Sequence, residues 1–225
     1  MTVFFKKIST WYSETKAITS PATELVNNKI VLMLLFLGAG APIKNGYEVG
    51  DAVADFRLKN VDGKMIALSD YKDAKGVIVI FDCNTCPYSK AYNSRIIALN
   101  EKYASKGFPV ITINPNDPLQ STGDSFDKMI ALAKEKNYNF PYLVDESQEV
   151  SRAFGATNTP HVFLLQRSGK EYKVAYIGAI DDSARDAAAI KHKYVEEAVD
   201  AILTNKEVPS ARTKAFGCTI KWKNA

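Results

Sequence analysis

Short continuous apolar runs alternate along the chain with stretches whose apolar residues recur every three or four positions. Val77, Ile78, Val79, Ile80 and Phe81 follow Gly76 as one mostly β-branched run, the pattern of a central strand buried on both faces. After a short polar stretch, Tyr88, Tyr92, Ile96, Leu99 and Tyr103 keep helical spacing. Pro87 fits the first helical turn and Gly107 closes the segment. Residues 110–113 predict a second strand, and residues 114–123, with two prolines, a loop. Phe126, Met129, Ile130 and Ala133 mark a second helix behind Asp124 as its N-cap. Residues 141–144 read as a short extended piece, and Val150, Ala153 and Phe154 as a short helix ended by Gly155. Two apolar segments, 162–165 and 172–177, flank Arg167, Ser168, Gly169 and Lys170, a hairpin signal. Ser183 and Asp186 have the spacing of a capping box, opening a last helix with Ile190, Tyr194, Ala198 and Ile202 on one face.

Strand, helix, strand, helix, then hairpin and helix is an α/β order. The crossovers imply parallel strands and the hairpin an antiparallel edge, giving a central mixed β-sheet flanked by helices. This pattern occupies residues 47–205. Residues 206–225 are a mostly polar tail, apart from Phe216 to Trp222, whose aromatics predict that it docks on the domain. Residues 1–46 form an N-terminal extension. Within it, an apolar run at 30–37 follows Lys29 and leads into Gly38, Ala39, Gly40 and Ala41. The run is short for a membrane-spanning helix, which needs about 20 apolar residues. Segment 30–41 matches a secretory apolar region with a small-residue exit. The expectation is an exported protein, periplasmic if the source is bacterial, whose mature chain begins between Pro42 and Tyr47. The alternative is a buried apolar segment in a cytoplasmic protein.

Composition narrows the chemistry. With 225 residues, 46% of them hydrophobic, the chain can bury one good core. Its 29 basic and 25 acidic residues leave a net charge of +4, with no concentrated basic stripe, which argues against a nucleic-acid partner. Three cysteines are too few for a disulfide framework, and an odd number leaves one over.

Two of them, Cys83 and Cys86, stand between the central strand and its helix. There the free N–H groups and dipole of a helix start stabilise a thiolate, and two-residue spacing lets one thiol resolve a mixed disulfide made by the other. In this geometry the first cysteine is expected to be the more exposed. Cys83 is therefore assigned as nucleophile and Cys86 as the more buried resolving thiol, the two forming a redox-active disulfide. A zinc site would need two more ligands, and only Cys218, His161 and His192 are on offer. Haem attachment requires a histidine where Pro87 stands. No metal or other cofactor is implied. Thr159-Pro160 opens the hairpin strand, and a cis bond there would leave the Thr159 backbone free to pair with an extended substrate beside the cysteines. Thr159 and Pro160 are thus the substrate-binding candidates. Asp82 reads as a solvated loop carboxylate with a proton relay as its sharper role, His161 as a strand histidine or tuning group, and His192 as solvated. Cys218 reads as a small hydrophobe packed between Phe216 and Ile220, with a third redox thiol as the sharper alternative.

Several segments together are similar to one known family: residues 47–56, the strand leading into Cys83-Asn84-Thr85-Cys86-Pro87, residues 140–145, residues 155–160, and Gly217 to Trp222. They resemble the peroxiredoxin-like branch of the bacterial redoxin (alkyl hydroperoxide reductase/thiol-specific antioxidant) family. The resemblance implies a thioredoxin-like fold, Cys83 and Cys86 as redox centre, and Thr159-Pro160 as the cis-proline element. It also supplies the alternative of a thiol peroxidase with Cys86 as peroxidatic residue. Against that, Cys83 stands where the family's peroxide-orienting Thr would be, and Val79 where its Pro would be. The departure favours disulfide exchange. A non-enzymatic thioredoxin-fold module is the third possibility. The expected partners are protein or small-molecule disulfides, or peroxides, together with an unidentified partner that recycles the pair.

Overall fold

The run at 77–81 lies at the centre of a sheet, its alternate side chains feeding two cores. The structure is a computed structural model, and it describes residues 46–224. In chain order the elements are β1 (Ala52–Val53), β2 (Arg57–Asn60), β3 (Met65–Ala67), β4 (Gly76–Phe81), α1 (Pro87–Tyr103), β5 (Val110–Asn114), α2 (Phe126–Glu135), β6 (Tyr142–Val144), α3 (Glu149–Phe154), β7 (Asn158–Thr159), β8 (His161–Ser168), β9 (Glu171–Gly178), α4 (Tyr194–Leu203) and β10 (Cys218–Thr219). Eight strands form one sheet in the order β1-β9-β8-β4-β5-β6-β2-β3, and β10 pairs with β7 in a second, two-stranded sheet. β4, β5 and β6 run parallel, while β8 and β9 add the antiparallel hairpin turning at Gly169. This is the mixed α/β architecture expected from the sequence.

The two-residue period of β4 divides the interior. Val77, Val79 and Phe81 point into a core with Ile111, Ile113, Phe154, Phe163 and Leu165. Ile78 and Ile80 point the other way, against Tyr92, Ile96 and Tyr103 of α1 and Val195 and Val199 of α4. All six β4 residues are buried, and fully burying a Val, Ile or Phe side chain stabilises by about 1.5–3 kcal/mol. Gly76 is required at the strand's start, because a Cβ there would stand 2.4 Å from the Leu165 carbonyl oxygen.

The pairing of β4 with β8 also builds the site. Val77 faces Leu165, and the register runs antiparallel to Phe81 opposite His161. Continued two residues further, it brings Cys83 to the level of Thr159. The Thr159-Pro160 bond is cis.

Three features differ from expectation. β1, β2 and β3 carry no signal in the sequence; they are two to four residues long, too short for a periodic pattern, with β1 and β3 at the two edges of the sheet and β2 inside β3. The last helix begins at Tyr194, not after Ser183. Asp181 instead anchors that loop, with Arg95 Nη1 at 2.6 Å from its Oδ2 and the Arg95 guanidinium donating to the carbonyls of Ser183 and Ala184. Asp186 caps only a single 3-10 turn through the Ala188 N–H. Asp124, expected to cap α2, gives that place to Ser125 and points to the cysteines. The apolar segment at 30–41 lies outside the described residues. Among the described residues no helix is long and apolar enough to cross a membrane.

Candidate active site

The segment from Cys83 to Cys86 is held from below by one carboxylate. Asp124 Oδ1 accepts the backbone N–H groups of Asn84 (2.7 Å) and Thr85 (3.2 Å). Its Oδ2 accepts from the hydroxyls of Thr85 (2.8 Å) and Ser121 (2.6 Å) and from Asn116 Nδ2 (2.9 Å). The Asn84 side chain is fixed at both ends, donating to the Gly123 carbonyl and accepting from Tyr142 Oη, each at 2.8 Å. Gly123 must be small, since a Cβ there would meet Thr85 Cγ2 at 2.5 Å. Asp124 is therefore a positioning residue. The sequence signals it only as a helix cap, because its main partners lie about forty residues away along the chain.

Thr159 touches both sulfurs. Its hydroxyl lies 3.1 Å from Cys83 Sγ, and its carbonyl accepts the Cys86 thiol at 3.1 Å. The structure thus brings Cys83, Cys86, Thr159 and Pro160 together at one place. The expected difference in exposure between the cysteines is absent, for each is 2% exposed. Their surroundings do differ. Cys86 is the N-cap of α1 with Pro87 at the first helical position, so the positive end of the helix dipole falls on Cys86 and not on Cys83. The Cys218 N–H points at Cys86 Sγ from 3.4 Å. A hydrogen bond from the Cys83 thiol, then those from the Cys218 thiol and nearby backbone N–H groups, hold Cys86 well below the ordinary thiol range, against the opposing effect of burial. Cys83 is pushed up by that same shared hydrogen bond, by burial, and by the negative charges of Asp124 and Asp82. One contact opposes a thiolate on Cys86, the Thr159 carbonyl at 3.1 Å.

The neighbouring titratable residues also depart from expectation. Asp82 is buried, not solvated, and burial lifts its carboxyl to about 7, with a hydrogen bond from Ser89 working the other way. Ser89 Oγ is also 3.9 Å from Cys83 Sγ, so it stands between the carboxyl and the thiol. His161 is buried against Phe163, and burial, then the Arg212 charge, lower its pKa to about 4. Its Nδ1 accepts the Thr157 N–H and it bonds to neither sulfur, an ordinary strand histidine. His192 lies far along the chain at the exposed start of α4, stacked on Tyr194. Cys218 is half-buried and its backbone adjoins Cys86, while Ile220 is buried and Phe216 is 40% exposed.

The edge of Thr159 is not open. β10 pairs antiparallel with β7, setting Cys218 opposite Thr159 and Thr219 opposite Asn158. The chain's own tail takes the place that an extended substrate was expected to use.

A mixed sheet carrying two cysteines at a strand-to-helix turn, beside a cis-proline, defines a thioredoxin-like redox domain. The model of the AhpC/TSA family matches residues 49–177, more than half of the chain, and the chain belongs to that family. It is similar to an uncharacterized conserved protein from Geobacillus kaustophilus, with 34% identity, a TM-score of 0.74, and coverage of 80% of this chain and 95% of that one. A hypothetical protein from Sinorhizobium meliloti 1021 aligns with 32% identity, the same TM-score of 0.74, and coverage of 80% and 98%. Among curated relatives, the thiol-disulfide oxidoreductase ResA of Geobacillus thermodenitrificans is 26% identical over 160 residues, which cover 67% of this chain and 86% of ResA.

Proposed function

We propose that this protein is a thiol–disulfide oxidoreductase in which Cys83 and Cys86 cycle between dithiol and disulfide. The observation that carries it is Thr159, which meets both sulfurs at 3.1 Å next to cis-Pro160. The likeness to relatives named thiol-disulfide oxidoreductases supports the same reading.

The surroundings favour Cys86 as the thiolate and Cys83 as its thiol partner, the reverse of the order expected from position alone. In the forward half-reaction Cys86 thiolate attacks one sulfur of a substrate disulfide. A mixed disulfide forms and the other substrate sulfur leaves as thiolate. Cys83 then gives up its proton and attacks Cys86 Sγ, closing the Cys83–Cys86 disulfide and releasing the second substrate thiolate. The protein loses two electrons and the substrate gains them. Asp82, whose carboxyl titrates near neutrality, is placed to take the Cys83 proton through Ser89. Protein or small-molecule disulfides fit as substrates, with a separate redox partner resetting the pair. The apolar segment at 30–41 supports an exported protein, which amino-terminal sequencing of the native chain would test by finding a start between Pro42 and Tyr47.

Peroxide reduction is the weaker reading. Cys86 precedes Pro87 as a peroxidatic cysteine would, but the nearby hydroxyl of Thr159 faces Cys83. The deciding experiment exposes single serine variants briefly to a disulfide substrate or to hydrogen peroxide and maps the products by mass spectrometry. In Cys83→Ser the substrate is expected first as a mixed disulfide on Cys86, before the neighbouring Cys218 thiol displaces it, with little trapping in Cys86→Ser. Trapping on Cys83 in Cys86→Ser would return the nucleophile to Cys83. Sulfenic acid at Cys86 with no disulfide exchange would reject the proposal.

A further inference from the structure

The tail is fastened with more contacts than a loose terminus needs. Gly217 is pressed so close to Thr159 that a Cβ would lie 2.1 Å from its carbonyl oxygen, the same oxygen that faces Cys86. The Gly217 carbonyl accepts from Asn158 Nδ2 at 3.0 Å, and the Ile220 N–H donates to the Thr157 carbonyl at 3.1 Å. Ile220 is buried. Beyond it, Lys221 N–H donates to Asn116 Oδ1 at 2.9 Å, and its carbonyl accepts from the Asp117 N–H at 2.8 Å and from Gln148 Nε2 at 3.0 Å. Trp222 lies under the Arg152 guanidinium, 4.4 Å from the ring centroid. Asn116 is also a ligand of Asp124, so one network fixes both the redox loop and the tail.

These contacts hold one residue in a particular place. Cys218 lies opposite Thr159 on an added antiparallel strand, with its N–H 3.4 Å from Cys86 Sγ. Its own sulfur is three bonds from that nitrogen, so rotation about a single bond, Cα–Cβ, carries it across the face of Cys86. An extended substrate paired with Thr159 would present its reacting cysteine at this position. From this geometry we infer that Cys218 is a third redox thiol, which exchanges with Cys86 and holds the pair in an internal mixed disulfide. The inference rests on the disulfide exchange proposed above.

The step is an isomerisation. Starting from the Cys83–Cys86 disulfide, Cys218 thiolate attacks Cys86 Sγ. The Cys86–Cys218 bond forms, the Cys83–Cys86 bond breaks, and Cys83 leaves as thiolate to take up the proton that Cys218 released. No electrons enter or leave. Cys83 becomes free while the protein stays oxidised. The same attack on a substrate bound at Cys86 would expel the substrate thiolate and leave Cys86–Cys218.

In the dithiol protein burial, then its contact with Cys86, pushes the Cys218 thiol up to about 11; once Cys86 is in a disulfide, burial remains as the cause that keeps Cys218 protonated near neutrality. The exchange should therefore quicken as pH rises above neutrality. The test uses the full chain with Cys83→Ser, loaded at Cys86 with glutathione from oxidised glutathione. The expected result is loss of the glutathione with a Cys86–Cys218 disulfide in non-reducing peptide maps. In Cys83→Ser/Cys218→Ser, release should slow roughly tenfold or more, because no internal thiol remains to attack. Cys218→Ala in the same background guards against a folding defect peculiar to serine, and must give the same slowing. Glutathione that persists on Cys86 in Cys83→Ser with no Cys86–Cys218 bond, although wild type still forms Cys83–Cys86, would overturn the inference alone. Absence of a Cys83–Cys86 disulfide in oxidised wild type would instead overturn the function on which it rests.

Discussion

The two ends of the redox loop lie three residues apart and are equally hidden from solvent, yet they are chemically unlike. The Cys83 end sits at the foot of β4 between two buried carboxylates, Asp82 and Asp124. The Cys86 end sits on the first turn of α1 and collects donors, from the helix start and from the tail. Solvent exposure therefore does not distinguish the two sulfurs here. Their neighbours do, and those follow from where the helix begins, at Pro87 and not at Cys83.

The comparison is broken most directly by chemistry on the reduced wild-type protein. At pH 6 a trace of iodoacetamide should label Cys86 before Cys83, by about tenfold or more from the difference in thiolate fraction. Peptide mapping after a time course reads the ratio, and faster labelling of Cys83 would invert the assignment.

Removing the carboxylate that fixes the loop should cost the most stability. Asp124→Ala strands two backbone N–H groups and three side-chain donors, with an expected loss of about 3–5 kcal/mol, as for other broken buried networks. Denaturant unfolding measures it. Asp124→Asn keeps an acceptor oxygen and should lose less.

Asp82 sharpens the contrast through pH. Its folded pKa, about 7, stands above the ordinary 3.8, so its protonated form is favoured by folding. The associated stability is complete below pH 3.8 and is lost as pH rises through 7, reaching at most about 4 kcal/mol. Asp82→Asn should remove this decline, so that the variant gains on wild type from about pH 4 to about pH 7 in parallel melting curves and holds the gain above that. If the two proteins lose stability equally over that range, the buried carboxyl is not the cause. The same substitution should remove the rise near pH 7 in the rate at which Cys83 closes the disulfide.

Gly217→Ala is the mildest change. The added methyl collides with the Thr159 carbonyl and should lift the tail from β7, at an expected cost of about 1–2 kcal/mol. Hydrogen exchange should speed up at Thr219 and Ile220, while the Asp124 network below keeps its protection.

Much of this was legible in the sequence, and the limits have physical causes. The strand at 77–81 announces itself because burial on both faces leaves an unbroken apolar run. The hairpin does so because Gly169 adopts a positive φ of 64° that few other residues take readily. Cys83, Cys86 and Pro160 are conspicuous as residue types. Asp124 is not, because a carboxylate that binds backbone N–H groups from a distant segment leaves no pattern in those segments. Cys218 was visible as a cysteine, but its neighbour was not. The aromatics of Phe216 to Trp222 signal that the tail docks, but two residues of β10 carry no periodicity to say where, and the close approach of Gly217 to Thr159 is seen only in the fold. Ser183 and Asp186 misled because their spacing also suits a loop tied to Arg95.

The strand formed by Cys218 and Thr219 also sets terms for whatever enters from solution. A free peptide seeking the Thr159 edge competes with a strand already tethered to the same molecule. Tethering of this kind corresponds to an effective concentration on the order of millimolar, and the extra anchors at Ile220 and Lys221 raise it. A micromolar polypeptide would lose that contest, whereas a small disulfide, needing no strand of its own, would not have to enter it.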